Sequence, residues 1–460
     1  MSQTTAPTRT PHLIVIGGGF AGLWATRALK GAPIAITLID RANHHLFQPL
    51  LYQVATAGLS APDIAAPLRH ILRAQANVRV LMAEVSDIDV ASQQVMLVGQ
   101  PPLHYDQLLV ASGATHAYFG HDEWAPWAPG LKTLDDALLI RRRLLLAFER
   151  AEAASTLQEQ QAWLHFAVVG GGPTGVELAG TLAEIARHTL RADFRRIDPA
   201  AAQVRLIEAG PALLASFPPP LQARTRQQLE GLGVQVLCGT PVADISELGY
   251  RLGADFVPCR TVLWAAGVAA SPLGALLGAE CDRAGRVKVL ADLSLPGHPE
   301  VHVAGDLAAV TQANGRPVPG VAPAAKQMGR YVAAQTRAGL AQPRSPSLAA
   351  AGNAKTNKPF VYADYGNLAT IGRLAAVVDL RGLHFSGLLA WWFWLAAHVF
   401  FLIGFRNRLS VLINWAWAYC TYQRGARIVL GGSTAPAGSA AASVPPAVAA
   451  EPVEKLPAEP

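Results

Sequence analysis

The chain has 460 residues, of which 51% are hydrophobic and only 15% charged, with a formal net charge of +6. That length exceeds one ordinary core and accommodates two or three domains, and so apolar a composition points to membrane contact wherever the excess is concentrated. The basic balance suits an anionic surface or anionic small molecules; the absence of a Lys/Arg-rich run with interleaved aromatics sets nucleic acid aside.

Residues 1–10 are expected to be disordered, and Met1–Pro11 holds no apolar run of the kind a secretory leader needs. His12–Ile16 is a short apolar run that stops at glycines, as a buried parallel strand does. A helix is expected over Ala21–Lys30 and a second strand over Ile34–Ile39, ending at Asp40. Between strand and helix lies Gly17-Gly18-Gly19-Phe20-Ala21-Gly22, which fits G-x-G-x-x-G. In that pattern Gly17 makes the tight turn, Gly19 lets backbone approach a pyrophosphate and Gly22 lets the helix pack close to the sheet. The helix N-terminus then faces the phosphates, and Asp40 stands where a carboxylate accepts from ribose hydroxyls. Leu108–Gly113 is a further strand ending in a small-residue turn. Leu134–Ala151 has apolar residues at helical spacing with Arg141–Arg143 on the wet side, and is expected to connect two domains.

The opening pattern then recurs. Phe166–Val169 runs into Gly170-Gly171-Gly172-Pro173-Thr174-Gly175, a helix is expected through Val176–His188, and Val204–Ile207 ends at Glu208 after an insertion over Thr189–Gln203. Glutamate at that strand end accepts from both ribose hydroxyls and repels a further phosphate, which favours NADH over NADPH. Glu177 sits in the first helical turn. It is either a plain acid on the helix dipole or, where two such domains face each other, an ionisable group in the cleft. Leu263–Gly267 is a matching strand and turn. Val301–Asp306 is a strand ending in Gly-Asp, and an aspartate there can hold the ribityl chain of FAD; a plain strand end is the alternative. The four cysteines, Cys238, Cys259, Cys281 and Cys420, form no C-x-x-C pair and no zinc set, so reduced thiols and no metal are expected.

Residues 340–358 read as a linker. The apolar excess is concentrated beyond it. Ser386–Phe405 carries His398 as its one strongly polar side chain and is followed, past Arg406 and Arg408, by Leu409–Tyr422. Between Asp379 and Glu451 there is no acidic residue, and Trp391, Trp392, Trp394, Trp415 and Trp417 lie among the apolar ones. Basic residues beside Trp-rich apolar helix suit an anionic bilayer interface. Ser386–Phe405 also has the length of a membrane-crossing helix, and that is the alternative to helices lying on the surface. Residues 431–460 are expected to form a disordered tail.

The fold class expected is α/β, with two Rossmann-like dinucleotide-binding domains and a C-terminal membrane-associating helical region. The boundaries are 11–130 with 291–340 for one domain, 131–160 for the connecting helix and 161–290 for the other. The remainder is 341–385 for C-terminal strands and linker and 386–430 for the anchoring helices.

The chain resembles the type II NADH:quinone oxidoreductases, single-subunit respiratory dehydrogenases that pump no protons. The resemblance covers roughly residues 11–430. It rests on the two glycine motifs, the segment His44–Val54 (HHLFQPLLYQV), the helix Asp136–Glu152 and, most specifically, His398–Trp417 with Gly404-Phe405-Arg406-Asn407-Arg408. It implies a glutathione-reductase-like fold in which Gly17, Gly19, Gly22, Asp40, Val85, Gly113 and Asp306 bind FAD. Gly170, Gly172, Gly175, Glu208 and Gly267 would bind NADH. Glu177 matches the acid placed near flavin, nicotinamide and quinone. Many members carry A-Q-x-x-x-Q as a quinone motif; here Gln327 matches the second glutamine, Pro323 replaces the first, and Ala324 lies between them. Lys326 is read either as a cation for reduced flavin or as a solvated lysine. A membrane quinone, the bilayer surface on the cytoplasmic side of a cell inner membrane and a homodimer follow as implied partners and placement. The alternatives are a reductase of a small electron carrier and a low-turnover, membrane-tethered flavin redox sensor.

Overall fold

A computed structural model describes residues 9–341, 358–380, 382–421 and 423–429. The tail 431–460, nearly all of the expected linker and most of the expected disordered lead-in lie outside the described residues.

The first apolar run forms the strand His12–Ile16 at the centre of a six-stranded sheet. Ala35–Asp40 and then Val78–Met82 extend the sheet in parallel on one side. On the other side come Gln107–Val110 and then His298–Val303, also parallel, with Ser294–Leu295 antiparallel at the edge. Leu13, Ile14, Val15 and Ile16 are at most 3% exposed, in a core they share with helix residues such as Leu23 and Val332 and with Val85, Ile88, Val95 and Leu97 of a small antiparallel sheet. The helix Phe20–Ala28 packs on the helix Ala322–Leu340. Residues from about 300 onward therefore complete a sheet begun at residue 12.

A second, four-stranded parallel sheet has the order Val234–Cys238, Gln203–Glu208, His165–Val169, Thr261–Trp264. In both sheets the central strand feeds the glycine turn, and its two neighbours arrive by separate crossovers. That arrangement creates a crevice at the carboxyl ends of the strands, where ligands of open α/β sheets bind.

Three features differ from the sequence reading. The connecting helix spans Leu134–Ala153, capped by Thr133 with Asp136 in a capping box, but its arginines are not on a wet face. Arg141 is 8% exposed, and Arg143 donates to the carbonyls of Pro126 and Trp127. Long arginine stems bury along apolar surface while the head finds carbonyls, which apolar spacing alone does not reveal. Next, the α-helix expected to reach His188 ends at Glu184 and continues as one π-helical turn, Ile185–Thr189, and in the inserted loop beyond it the Arg195, Arg196 and Ile197 amides donate to Glu152. Finally, the expected long apolar helix is shorter. Ser386 and Gly387 belong to the strand Leu383–Gly387 of a three-stranded sheet, and the helix runs Leu388–Phe401. Its 14 residues span about 21 Å at 1.5 Å per residue, short of a bilayer core of about 30 Å. Leu402 turns extended before the second helix, Phe405–Thr421. No helix among the described residues is long and apolar enough to cross a membrane, so the membrane-crossing alternative falls.

The two C-terminal helices are tied to the segment that follows the second strand. Asp63, 7% exposed, accepts from Ser410 Oγ at 2.5 Å and from Asn414 Nδ2 at 3.2 Å, while Ser60 N–H and Oγ satisfy it from its own side. Trp415 Nε1 donates to Gln53 Oε1 at 2.7 Å. His398 is buried against Trp394 and Phe47, and desolvation lowers its pKa to about 4, so it packs as a neutral ring. The segment around His44–Val54 is thus the platform on which the C-terminal helices dock.

Candidate active site

The first glycine motif forms a preset cradle. Gly17 has φ +103°, a conformation that L side chains avoid. A Cβ on Gly22 would lie 1.9 Å from Gly17 O, whereas one on Gly19 would meet nothing within 4 Å. The first glycine turns, the third seals helix to strand, and the second leaves open space at the helix N-terminus. Asp40 holds its carboxylate in place with Oδ2 on Gly18 N–H at 2.6 Å and Oδ1 on Ala42 N–H at 2.7 Å. Each oxygen keeps a lone pair for a ribose hydroxyl.

The second motif reproduces this construction. Gly170 has φ +112°, a Cβ on Gly175 would lie 1.8 Å from Gly170 O, and Gly172 faces open space. Glu208 takes Gly171 N–H at 2.5 Å on Oε2 and Gly210 N–H at 2.6 Å on Oε1. The two motifs therefore share a geometry as well as a spacing. Gly113 also has positive φ and open space, while the backbone carbonyl of Gly267 accepts from Ala117 N–H at 3.2 Å. Val85 is buried beside the Asp40 strand end, where Ala83 N–H donates to Asp40 O.

Asp306 follows Gly305 in a short 3-10 turn. Desolvation raises its pKa, and the nearby Lys132 ammonium opposes that rise. Burial in turn lowers the pKa of Lys132. Lys132 was not singled out in the sequence; a lone lysine ahead of a helix cap carries no local signal, and only folding sets it across from Asp306. Lys326, by contrast, lies over the rings of Trp24 and Phe401, 5.0 Å from each centroid, with Arg27 and Arg330 as its charged neighbours.

Gln327 spends its amide on backbone. Its Nε2 donates to Ala363 O and its Oε1 accepts from Ala363 N–H, both at 2.9 Å. Ala324 is 1% exposed, within the core under the helix. The Ala363 clamp leads into the strand Asn367–Gly372, whose Thr370 backbone lies close enough to Glu177 to lower its pKa. Gly180 permits this approach, since a Cβ there would sit 1.7 Å from Ile371 O. Gln327 and Glu177 are thereby linked through one strand.

Glu177 has its pKa raised well above 4.5 by desolvation, which the Thr370 hydrogen bond only partly offsets. Tyr52 lies within electrostatic reach of both Glu177 and Glu184. Beside them is a cavity of about 100 Å³ whose walls include Tyr52, Glu184, Thr370 and the three tryptophans Trp391, Trp394 and Trp415. Trp394 is 2% exposed and its Nε1 has no hydrogen-bond partner. Glu184 and Arg424 form an ion pair at 3.3 Å, each side chain 14% exposed, and Arg424 also donates to Thr56 O at 3.1 Å. Desolvation raises the pKa of Glu184 and lowers that of Arg424. The pair was not legible in the sequence, because 240 positions of chain separate its members.

Two family models match. Residues 11–329 match the pyridine nucleotide-disulphide oxidoreductase family and residues 365–420 match the NDH2 C-terminal domain. The chain is 44% identical over 436 residues to a type II NADH:quinone oxidoreductase, Ndh, of Mycobacterium tuberculosis, covering 92% of this chain and 91% of the relative. It is 29% identical to a demethylphylloquinone reductase of Synechocystis, covering 88% of this chain and 95% of that one. Among solved structures, NDH2 from Plasmodium falciparum in complex with NADH superposes with a TM-score of 0.81 at 20% identity, covering 92% of this chain and all of that one.

Proposed function

The chain belongs to the type II NADH:quinone oxidoreductases, within the pyridine nucleotide-disulphide oxidoreductase family, and on that premise we propose how its own residues carry the reaction. It is a flavin-dependent NADH:quinone oxidoreductase that passes two electrons to quinone without pumping protons. The observation that carries the reading is the duplicated cradle, two glycine turns each closed by a carboxylate locked onto backbone amides.

The flavin is FAD on this reading, because the first cradle fits an adenine dinucleotide: space at Gly19, acceptors at Asp40 and helix dipole at the phosphates. A flavin held there would supply the two-electron redox chemistry that links NADH to quinone. Gly17, Gly19, Gly22 and Asp40 hold its nucleotide end, and Asp306, steadied by Lys132, takes the ribityl side. Gly170, Gly172, Gly175 and Glu208 hold NADH.

Glu177 is assigned to the proton that quinone reduction takes up. Burial raises its pKa and so favours the protonated form, and the Thr370 backbone beside it opposes that rise. Gln327 acts at one remove, by clamping Ala363 and so setting the strand that carries Thr370. Quinone approaches through the Trp-lined cavity, where Trp394 Nε1 offers a carbonyl its donor. The exposed Leu389, Trp392, Phe400, Ile413 and Trp417 lie on the two C-terminal helices. They rest on the cytoplasmic face of an inner membrane, from which quinone arrives, and add a homodimer contact.

The reading is tested by reducing the purified yellow protein with NADH without oxygen and then adding a short-chain ubiquinone. NADH should bleach the flavin and quinone should restore it within the dead time of mixing. Bleaching without restoration would remove the acceptor half of the reading.

A second expectation concerns pH. Because the Glu177 pKa is raised, kcat with quinone should fall as pH rises through it. Glu177→Gln should lower kcat by about 10² or more and abolish that limb, with KM for NADH unchanged. The sign for stability agrees: a carboxyl with a raised folded pKa contributes most below its unfolded pKa, and this contribution is lost as pH rises. Glu177→Gln should therefore unfold with less pH dependence above pH ~5. An unaltered pH profile in the variant would rule Glu177 out as the titrating group.

A further inference from the structure

At the outer end of the Leu388–Phe401 helix, three cations gather around two aromatic rings. Lys326 lies between Trp24 and Phe401, 5.0 Å from each ring centroid. The Arg27 guanidinium lies 5.6 Å from the Trp24 ring centroid, on the next turn of the same helix. Arg330 is one turn past Lys326 on the Ala322–Leu340 helix. Arg27 and Arg330 are exposed, and both are close enough to lower the Lys326 pKa, together with its desolvation. Among the described residues no carboxylate pairs with any of the three. Like charges at i,i+4 destabilise a helix, and this cluster leaves that repulsion uncompensated within the protein.

The cluster adjoins apolar surface. Phe401 is 40% exposed and Phe400 70% exposed, and they continue the row of exposed Leu389, Trp392 and Phe393 along the same helix. A cationic cluster flanked by aromatic rings, set at one end of an apolar face, matches the junction between phosphate and acyl chains in a bilayer. A free anion would use the cations alone and leave the phenylalanines in water.

We propose that Arg27, Lys326 and Arg330 form a binding site for the phosphodiester headgroup of an anionic membrane lipid, whose acyl chains run along Phe400 and Phe401. This rests on the membrane-docking reading above and deepens it: the apolar helices supply adhesion to any bilayer, and the cluster supplies selectivity for anionic ones. It also fixes the orientation of the chain on the membrane, since the cluster lies at one end of the apolar face.

The test is co-sedimentation of the purified, flavin-loaded full chain with vesicles of phosphatidylcholine alone and with vesicles containing phosphatidylglycerol. The chain should bind both kinds, the anionic ones more tightly at low salt, with the preference lost in 0.5 M NaCl, where charges are screened within about 4–5 Å. R27Q/R330Q should weaken binding to anionic vesicles about thirtyfold, since each surface cation is worth about fivefold. Adding K326Q should weaken it about fivefold more. Binding of both variants to phosphatidylcholine should not change, and R27Q/R330Q should oxidise NADH with a soluble short-chain quinone at the parent rate, which shows an intact fold. Equal affinity of the triple variant and the parent for anionic vesicles would overturn the headgroup site while leaving membrane docking in place. Failure of the parent to bind either vesicle would instead overturn the docking reading, and the headgroup site with it.

Discussion

Gly175→Ala should yield a protein that is still yellow but oxidises NADH at least 10²-fold less efficiently, and Gly22→Ala should yield a colourless one. In each case the new Cβ would meet a backbone carbonyl, at 1.8 Å from Gly170 O or 1.9 Å from Gly17 O. A flexible side chain could give way at little cost, but these oxygens belong to the turn that positions the ligand. Relief requires the helix to retreat from the strand by an ångström or more, taking its N-terminal amides with it. A displacement of that size at a reacting centre costs about 10² in rate. The two sheets have separate cores around their central strands, so each lesson should stay local: flavin absorbance at purification reports the first cradle, and kcat/KM for NADH reports the second. A Gly175→Ala protein with parental kcat/KM would mean that the second cradle does not hold NADH.

Arg424→Met should destabilise the chain by about 3–5 kcal/mol, the usual cost of leaving one member of a buried ion pair uncompensated. Arg424 reaches both Glu184 on the second glycine helix and Thr56 on the docking platform, and Glu184 in turn accepts from Arg373 N–H. Losing the guanidinium strands the Glu184 carboxylate in a site whose burial already raises its pKa. Loss of the tie also frees the chain beyond the last helix from the cavity wall. Urea denaturation followed by tryptophan fluorescence measures the effect, because Trp391, Trp394 and Trp415 line that cavity. Glu184→Gln combined with Arg424→Met should recover a large part of the loss, since the stranded charge is then gone. If the double variant is no more stable than Arg424→Met alone, the pair is not the source of the effect.

Several parts of the molecule were settled locally. Strand, glycine turn, helix, strand and terminal acid are all neighbours in the chain, so both cradles, with Asp40 and Glu208 at their strand ends, were legible by spacing alone. The same holds for the Trp-rich apolar stretch, whose composition speaks whatever its fold. Its helical length did not: Ser386 and Gly387 were drawn into a strand by pairing with Ala376 and Val377, which no hydropathy window detects. Arg141 looked solvated for a similar reason, since burial depends on what packs over a helix.

The site between the cradles belongs to tertiary structure. Gln327 reads as a ligand residue in its motif, yet its amide is committed to Ala363, 36 residues on. Asp63 meets Ser410 across 347 residues, Gln53 meets Trp415 across 362, and Glu184 meets Arg424 across 240. Periodicity and motif spacing report forces that act within a turn or two of chain, and they determined the two dinucleotide cradles and the greasy C-terminus of this protein. Burial and buried pairing depend on which distant segments the cores bring together. They alone decided that Lys132 attends Asp306, that Lys326 lies between Trp24 and Phe401, and that Glu177 is desolvated near Tyr52 and Thr370, which line a tryptophan-walled cavity.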